Sequence, residues 1–340
     1  MKPSTTVSYL TTHHTSHTMA TRKRRMRPAE IGNKMKRQQM YNKQKKEKKQ
    51  LKVENKKRKL KERAELGDRA PPKQEPKSLD KMREVDITML QPDDEEVFAD
   101  MNEDEFAPYY DNLKQAKIMV TTRPRPSKQL FAFVADLLQL FPNCYFYPRK
   151  TFSLKQIVGF SEKKNFTHII VINEKNKEAN AMVVTHLPYG PTAMFKVTNI
   201  VASSSISGHG RVTDHRPEVV LNNFNTRLGL RVGRLFGSMF PHEPEFHGRQ
   251  VATFHNQRDF IFVRYHRYLF EEKKARPNKT QIVSKDGKTA VQVTTQELGP
   301  RFTLKMKWLQ AGTFDTKEGE FEWIHKQNEH GKNDRKRFFL

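Results

Sequence analysis

The sequence predicts an α/β domain of two similar halves, preceded by a basic extension that is disordered or helical. Three observations carry this. From Gln115 onward, segments with helical periodicity alternate with strand-like runs. The order helix, Phe-Pro stop, strands occurs twice, ending at Phe141-Pro142 and again at Phe240-Pro241, which suggests an internal duplication despite low identity between the halves. Charge, finally, is segregated along the 340 residues rather than spread evenly.

The chain carries 63 Lys+Arg against 38 Asp+Glu, a formal net charge of +25. Hydrophobic residues make up 35%, and about 39% with the 15 glycines. A typical globular chain has roughly 45–50% by that count, so part of this one is not globular. The single cysteine, Cys144, excludes an intramolecular disulfide and a multi-cysteine zinc site. No apolar run reaches the ~18 residues of a membrane span. The first 20 residues are rich in Thr, Ser and His and lack the apolar core of a secretory signal. An intracellular protein biased toward polyanions is expected.

Residues 21–65 hold 20 Lys/Arg and 5 Asp/Glu, densest at Arg22-Lys23-Arg24-Arg25 and Lys56-Lys57-Arg58-Lys59. Good helix formers dominate, but no apolar stripe exists to bury. The segment reads as a solvated, disordered or fraying helical arm. It also suits neutralising phosphates and serving as a nuclear address. Pro71-Pro72 and Pro76 mark a linker. Residues 91–111 hold nine acids and no base, interleaved with Val97, Phe98, Phe106, Tyr109 and Tyr110. Three fates are open for this run: folding back on the basic arm, docking to a basic partner, or a solvated hinge.

In the globular region, Ile118-Met119-Val120-Thr121-Thr122 predicts a strand ended by Pro124 and Pro126. Ser127 caps a helix to Phe141, with Leu130, Val134, Leu137 and Phe141 on one face. Tyr145-Phe146-Tyr147 reads as a strand and residues 153–165 as a second helix. Residues 167–173, 181–187 and 192–199 follow as three strands. Residues 218–240 read as one long amphipathic helix carrying Val219, Val220, Phe224, Leu228, Val232, Leu235, Phe236 and Met239. Residues 250–255 and 259–268 form a hairpin around Asn256-Gln257-Arg258. Within it Phe260, Phe262 and Arg264 share one face, with Ile261, Val263 and Tyr265 on the other. The Lys-rich residues 271–295, with a turn at Asp286-Gly287, read as an exposed insertion or loose hairpin.

Residues 301–308 alternate strictly. Arg301, Thr303, Lys305 and Lys307 fall on one face of a strand, and Phe302, Leu304, Met306 and Trp308 on the other. Three cations two residues apart are spaced at about 6.6 Å, close to successive phosphates of a nucleic-acid strand. The same pattern also describes an ordinary half-buried strand with solubilising charges. Nearby aromatics, above all those of residues 258–268, are mostly core, with one or two able to stack on an unpaired base.

Enzymatic signatures fail. Gly287-Lys288-Thr289 imitates the end of a phosphate-binding loop, but position 282 is Ile where that loop needs Gly. His13, His14 and His17 sit in the tail, and His209, His215, His242, His247 and His255 are scattered without a nucleophile. Paired carboxylates for acid–base chemistry are not apparent in residues 112–340. No catalytic residue, metal or cofactor is expected.

Longer motifs carry a resemblance. Ile118–Thr122 followed by Arg-Pro-Ser, Phe141-Pro142-Asn143, residues 166–174, His186-Leu187-Pro188-Tyr189-Gly190-Pro191-Thr192-Ala193, residues 218–224 and 248–259, and Glu297-Leu298-Gly299-Pro300-Arg301-Phe302-Thr303-Leu304-Lys305 resemble the Brix domain family. Gly312-Thr313-Phe314-Asp315 and Glu322-Trp323-Ile324-His325-Lys326 extend the likeness, which covers roughly residues 115–340. It implies two α/β halves, each like the anticodon-binding domain of certain aminoacyl-tRNA synthetases. It also implies a nucleolar, non-enzymatic factor that binds precursor ribosomal RNA and matures the large (60S) subunit. Partners implied are large-subunit pre-rRNA, pre-60S assembly factors and ribosomal proteins, and one dedicated protein partner, with no membrane. Residues 297–314 match the family's RNA-binding stretch, likened to part of a bacterial sigma factor. Its residues here are Gly299, Pro300, Arg301, Phe302, Thr303, Leu304, Lys305, Met306, Lys307, Trp308, Leu309, Gln310, Gly312, Thr313 and Phe314. The division expected is a basic, largely disordered arm (1–65), a linker with the acidic segment (66–114), the Brix domain (115–314) and a C-terminal extension (315–340). The alternative is a protein–protein scaffold with only non-specific RNA contact.

Overall fold

The computed structural model describes residues 30–67, 76–84, 88–91, 94–274, 282–283, 289–314, 319–326 and 337–340. Arg22–Arg25, the three tail histidines, Pro71-Pro72, Asp286-Gly287 and Asp315 lie outside the described residues. Two compact units result, residues 1–76 and 77–340.

The first unit contains helix α1 (Lys34–Leu66), with 15 Lys/Arg and 4 Asp/Glu. Its start is fixed by Asn33, whose side chain accepts from the backbone N–H groups of Met35 and Lys36. Met35, Tyr41, Leu51, Val53 and Leu60 are all exposed, as expected without an apolar stripe. From Lys34 onward the basic arm is thus continuous helix, about 50 Å long at 1.5 Å rise per residue.

The second unit is built on a 12-stranded mixed sheet. Its first half runs β1 (Ile118–Thr122), α4 (Lys128–Leu140), β2 (Cys144–Phe146), α5 (Leu154–Lys163), β3 (His168–Lys175), β4 (Glu178–His186) and β5 (Thr192–Val201). Its second half runs β6 (Glu218–Asn222), α6 (Arg227–Gly237), β7 (Gln250–Gln257), β8 (Phe260–Lys274), β9 (Ile282–Val283), β10 (Thr289–Glu297) and β11 (Arg301–Gln310); β12 (Phe321–Ile324) then pairs with β11. Two short helices, α2 (Glu95–Glu103) and α3 (Ala107–Tyr110), precede β1.

The duplication is visible in the pairing. β1 is parallel to β3, which is antiparallel to β4; β6 is parallel to β7, which is antiparallel to β8. Helix α4 follows β1 as α6 follows β6. Phe-Pro follows each helix, directly after α4 and just beyond the Ser238 cap of α6, and the rings of Phe141 and Phe240 lie 5.5 Å apart. The halves join where β5 and β11 run antiparallel along their whole length. Both helices pack on the same face, in one core with Phe195, Phe254, Ile261, Val263, Phe302 and Leu304. β2 and α5 occur only in the first half. There α5 covers the opposite face through Ile157, against Met119, Ile169, Val171 and Val183.

The 218–240 segment differs from the single helix its periodicity predicts. Residues 218–222 are a strand paired with β7, and the helix starts only at Arg227. Asn223 takes a left-handed φ of 63°, and Thr226 caps α6 by accepting from the Gly229 N–H at 2.9 Å. Val219 and Val220 suit either periodicity; their strand partners Ala252 and Thr253, distant in sequence, decide it. The 271–295 insertion extends the sheet: β8 pairs with β10 from Lys274↔Thr289 to His266↔Glu297, and the short β9 pairs with the outer edge of β10.

The acidic segment is not a solvated hinge. Phe106 and Tyr109 are buried in the domain, and the carboxylates meet a stripe of arginines on α6. Arg227 pairs with Glu96 at 2.6 Å and Arg231 with Glu105 at 3.0 Å. Arg234, only 6% exposed, takes both oxygens of Asp104 at 2.5 and 2.6 Å and the Met101 carbonyl at 2.7 Å.

Candidate nucleic-acid interface

Residues 299–314 enter the fold as the turn before β11, the strand itself and the loop after it. Gly299 has φ +78°, and a Cβ there would sit 2.7 Å from the Ser203 Cα, so only glycine fits. Phe302, Leu304 and Met306 point into the helix-covered core. Arg301, Thr303 and Lys305 stand on the opposite face of the sheet, as the alternation predicts.

Trp308 departs from the predicted pattern. The register shifts between Met306, opposite Phe195, and Trp308, opposite Met194. One extra residue in a β-bulge reverses the alternation. Trp308 therefore packs with the second cluster beside Phe314 and Met194, 5.7 Å edge-on to Phe321, and Leu309 takes the core place. Gln310 is buried, and the Gly312 carbonyl accepts from Thr192 Oγ1 at 2.6 Å. Of the fifteen residues matched, most are structural; the accessible cations are Arg301, Lys305 and Lys307.

These three are not equivalent. Arg301 donates twice to Glu297, at 2.6 and 2.5 Å, and this hydrogen-bonded pairing raises its pKa. Lys305 stands directly opposite Lys196 of β5, with its Nζ 5.0 Å from the centre of the Phe260 ring. Lys307 has its pKa lowered, first by burial and then by the charges of Lys305 and Lys196. Like charges directly opposed across strands destabilise a sheet. Lys196 was outside the predicted site, although Met194, Lys196 and Thr198 alternate with the buried Ala193, Phe195 and Val197. The alternation makes Lys196 outward-facing; only the long-range pairing makes it a neighbour of Lys305.

β8 continues this surface. Phe262 pairs with Thr303, and Ile261, Val263 and Tyr265 are buried on the far face, as predicted. Phe260 and Phe262 keep partly open rings, and the Arg264 guanidinium lies 5.9 Å from the Phe262 ring. Burial lowers the Arg264 pKa, and Arg301 adds to this. Two carboxylates border the patch and both are engaged. Glu297 holds Arg301, and Asp259 accepts the backbone N–H groups of Phe339 and Leu340 at 2.7 and 2.9 Å. Among the described residues no helix covers this face in the second half, because the β2–α5 insertion of the first half has no counterpart. The result is a partly open sheet surface of cations interleaved with aromatic rings. Among the described residues no three His, Cys, Asp or Glu side chains form a metal site, and no helix is long and apolar enough to cross a membrane.

A sequence model described as "Brix domain" matches residues 124–308. The chain is 50% identical over 302 residues to ribosome production factor 1 of Xenopus laevis, covering 88% of this chain and 83% of that one. It is 45% identical over 302 residues to the Pongo abelii protein of the same name, covering 88% and 82%. A solved structure titled as a probable ribosomal biogenesis protein from Aeropyrum pernix K1 aligns at TM-score 0.40 and 15% identity, covering 62% of this chain and 99% of that one.

Proposed function

The chain belongs to the Brix domain family, and on that premise we propose that it is a ribosome-assembly factor that binds ribosomal RNA and matures the large-subunit precursor in the nucleolus. Its role includes processing of large-subunit RNA, and it works beside other pre-60S proteins. The chemistry is holding rather than cutting: phosphate contacts position an RNA segment while the particle assembles around it.

The observation that carries this reading is the opposed pair Lys196 and Lys305, crowded further by Lys307. A polyanion laid across them relieves the repulsion and gains counterion release. Phe260 and Phe262 beside them suit stacking on unpaired bases, where sequence recognition in RNA mostly resides. The test is fluorescence anisotropy of the full chain with a transcript of the large-subunit precursor. Replacing Lys196, Lys305 and Lys307 together by alanine is expected to weaken binding at least tenfold at physiological salt without lowering the melting temperature. Unchanged affinity refutes the site. Crosslinking in cells with sequencing of the bound RNA tests the 60S assignment: reads concentrated on the large-subunit precursor support it, and reads spread over all RNA refute it.

A further inference from the structure

The first half carries a second surface that the RNA reading leaves unused. The loop at residues 147–152, helix α5 and strand β1 enclose a cavity of about 400 Å³. Met119, Ile157 and Thr121 form part of its lining, and three aromatic side chains at its mouth are open to solvent: Tyr147 at 38%, Phe152 at 42% and Phe160 at 45%. The inner edges of these rings pack on the domain, Tyr147 on Phe166 and Phe152 on Phe160, while their outer faces stay open around an apolar hollow. This is the anatomy of a binding anchor site.

The rim selects the occupant by charge. Arg149, Lys163 and Lys164 border the cavity, and Lys150 and Lys155 belong to the same segment. Between residues 144 and 167 the single acid is Glu162. Lys164 already lies 4.7 Å over the Tyr147 ring, so the cations edge the apolar floor rather than sitting apart from it. An occupant must therefore be anionic around an apolar centre.

Two features favour a protein segment over a nucleobase. Phe152 and Phe160 meet at 84°, edge to face, and form no parallel-walled slot for a flat base. Inside the rim formed by Tyr147, Arg149, Lys163 and Lys164, the floor is poor in hydrogen-bonding side chains: Thr121 Oγ1, buried and without a partner, is the exception among Met119, Phe152, Ile157 and Phe160. A base edge enclosed there leaves its polar atoms unpaired, whereas aliphatic and aromatic side chains need no partner. The molecule contains a model of the fitting ligand. Its own segment 94–110 buries Val97, Phe106 and Tyr109 while its carboxylates pair with the arginines of α6.

We propose that this cavity is a docking site for an acidic, amphipathic segment of another protein. Apolar anchors enter among Tyr147, Phe152 and Phe160, and carboxylates meet Arg149, Lys163 and Lys164. The proposal is separate from the RNA surface on β5, β8 and β11 and stands or falls independently of it.

The experiment places the photoreactive amino acid p-benzoylphenylalanine at Phe160 of the full chain in cells, with Tyr147 as a second position. Irradiation is followed by mass-spectrometric mapping of the adduct. The expected adduct is on a protein segment with several Asp or Glu around aromatic or aliphatic residues. Its yield falls at least tenfold with Lys163→Glu and Lys164→Glu, and it persists when Lys196, Lys305 and Lys307 are replaced by alanine. An adduct on RNA, an adduct on a neutral or basic segment, indifference to the charge reversal, or no adduct at either position overturns the proposal.

Discussion

Lys196 and Lys305 stand directly opposite one another where β5 and β11 join the two halves of the sheet. Opposed like charges cost stability, and opposite charges there contribute roughly 0.2–1 kcal/mol. The pair therefore separates function from folding. Lys196→Glu is expected to raise the melting temperature of the free protein by a degree or more, while weakening RNA binding at least tenfold. Thermal melts and anisotropy on the same preparation check it. A variant that is less stable and binds RNA as before shows that the pair is not held for a polyanion.

The sequence reveals where local chemistry decides and fails where distant partners do. Ser153 marks the start of α5 through a capping box with Gln156, and Phe141-Pro142 marks the end of α4, because caps and proline act within a turn. Ser127 stands at the N-terminal boundary of α4 without capping it, because its hydroxyl donates to the distant Glu174 at 2.6 Å instead. Residues 218–222 fit helix and strand equally; pairing with β7 settles them, and no local signal reports it. The reversal at Trp308 is hidden for a related reason. A bulge adds one residue to a strand whose apolar pattern still reads as unbroken. Lys196 and the acidic run were legible as an outward-facing lysine and a charged segment, but their partners Lys305 and Arg234 lie more than 100 residues away.

Arg234 is buried with both its charge and its donors committed to Asp104 and the Met101 carbonyl. Removing the carboxylate leaves a guanidinium with no counter-ion inside the fold. Asp104→Ala is expected to lower unfolding stability by about 3–5 kcal/mol, read from urea denaturation. Glu96→Ala, which removes the exposed partner of Arg227, is expected to leave the urea midpoint nearly unchanged, because solvent screens that pair. Equal costs for the two substitutions contradict the view that the acidic segment is clamped at Arg234.

His168 and His186 lie 5.0 Å apart beneath α3. His168 Nε2 meets Ser238 Oγ at 3.0 Å, and His186 Nε2 meets the Tyr109 hydroxyl at 3.1 Å. Burial lowers both pKa values, and the charge of His186 lowers that of His168 further. In the unfolded chain each titrates near 6.5, so below that pH the unfolded state binds more protons than the folded one. Stability is therefore present above about pH 6.5 and is lost as pH falls toward the depressed folded values, by up to about 1.4 kcal/mol per pH unit per histidine. Melting temperatures between pH 5 and 7.5 are expected to rise with pH, and His168→Gln to flatten the curve. Wild type and variant with the same slope exclude His168 as a source.

The proposed RNA-binding role gives helix α1 and the β11 surface different parts. The helix carries 15 Lys/Arg and 4 Asp/Glu with no aromatic platform beyond Tyr41, a composition suited to phosphate contacts independent of sequence. The sheet surface adds the partly open rings of Phe260 and Phe262, which suit stacking on unpaired bases rather than on duplex. Deleting residues 1–67 is expected to reduce the dependence of log affinity on log salt by about 2 or more, since each phosphate contact contributes about 0.7 on single strands. Preference for a large-subunit precursor over an unrelated RNA of equal length should survive the deletion. Phe260→Ala with Phe262→Ala should do the reverse, lowering the preference and leaving the salt slope nearly unchanged. A deletion that abolishes the preference while the aromatic variant retains it would place recognition in the basic arm and leave the sheet face a structural surface.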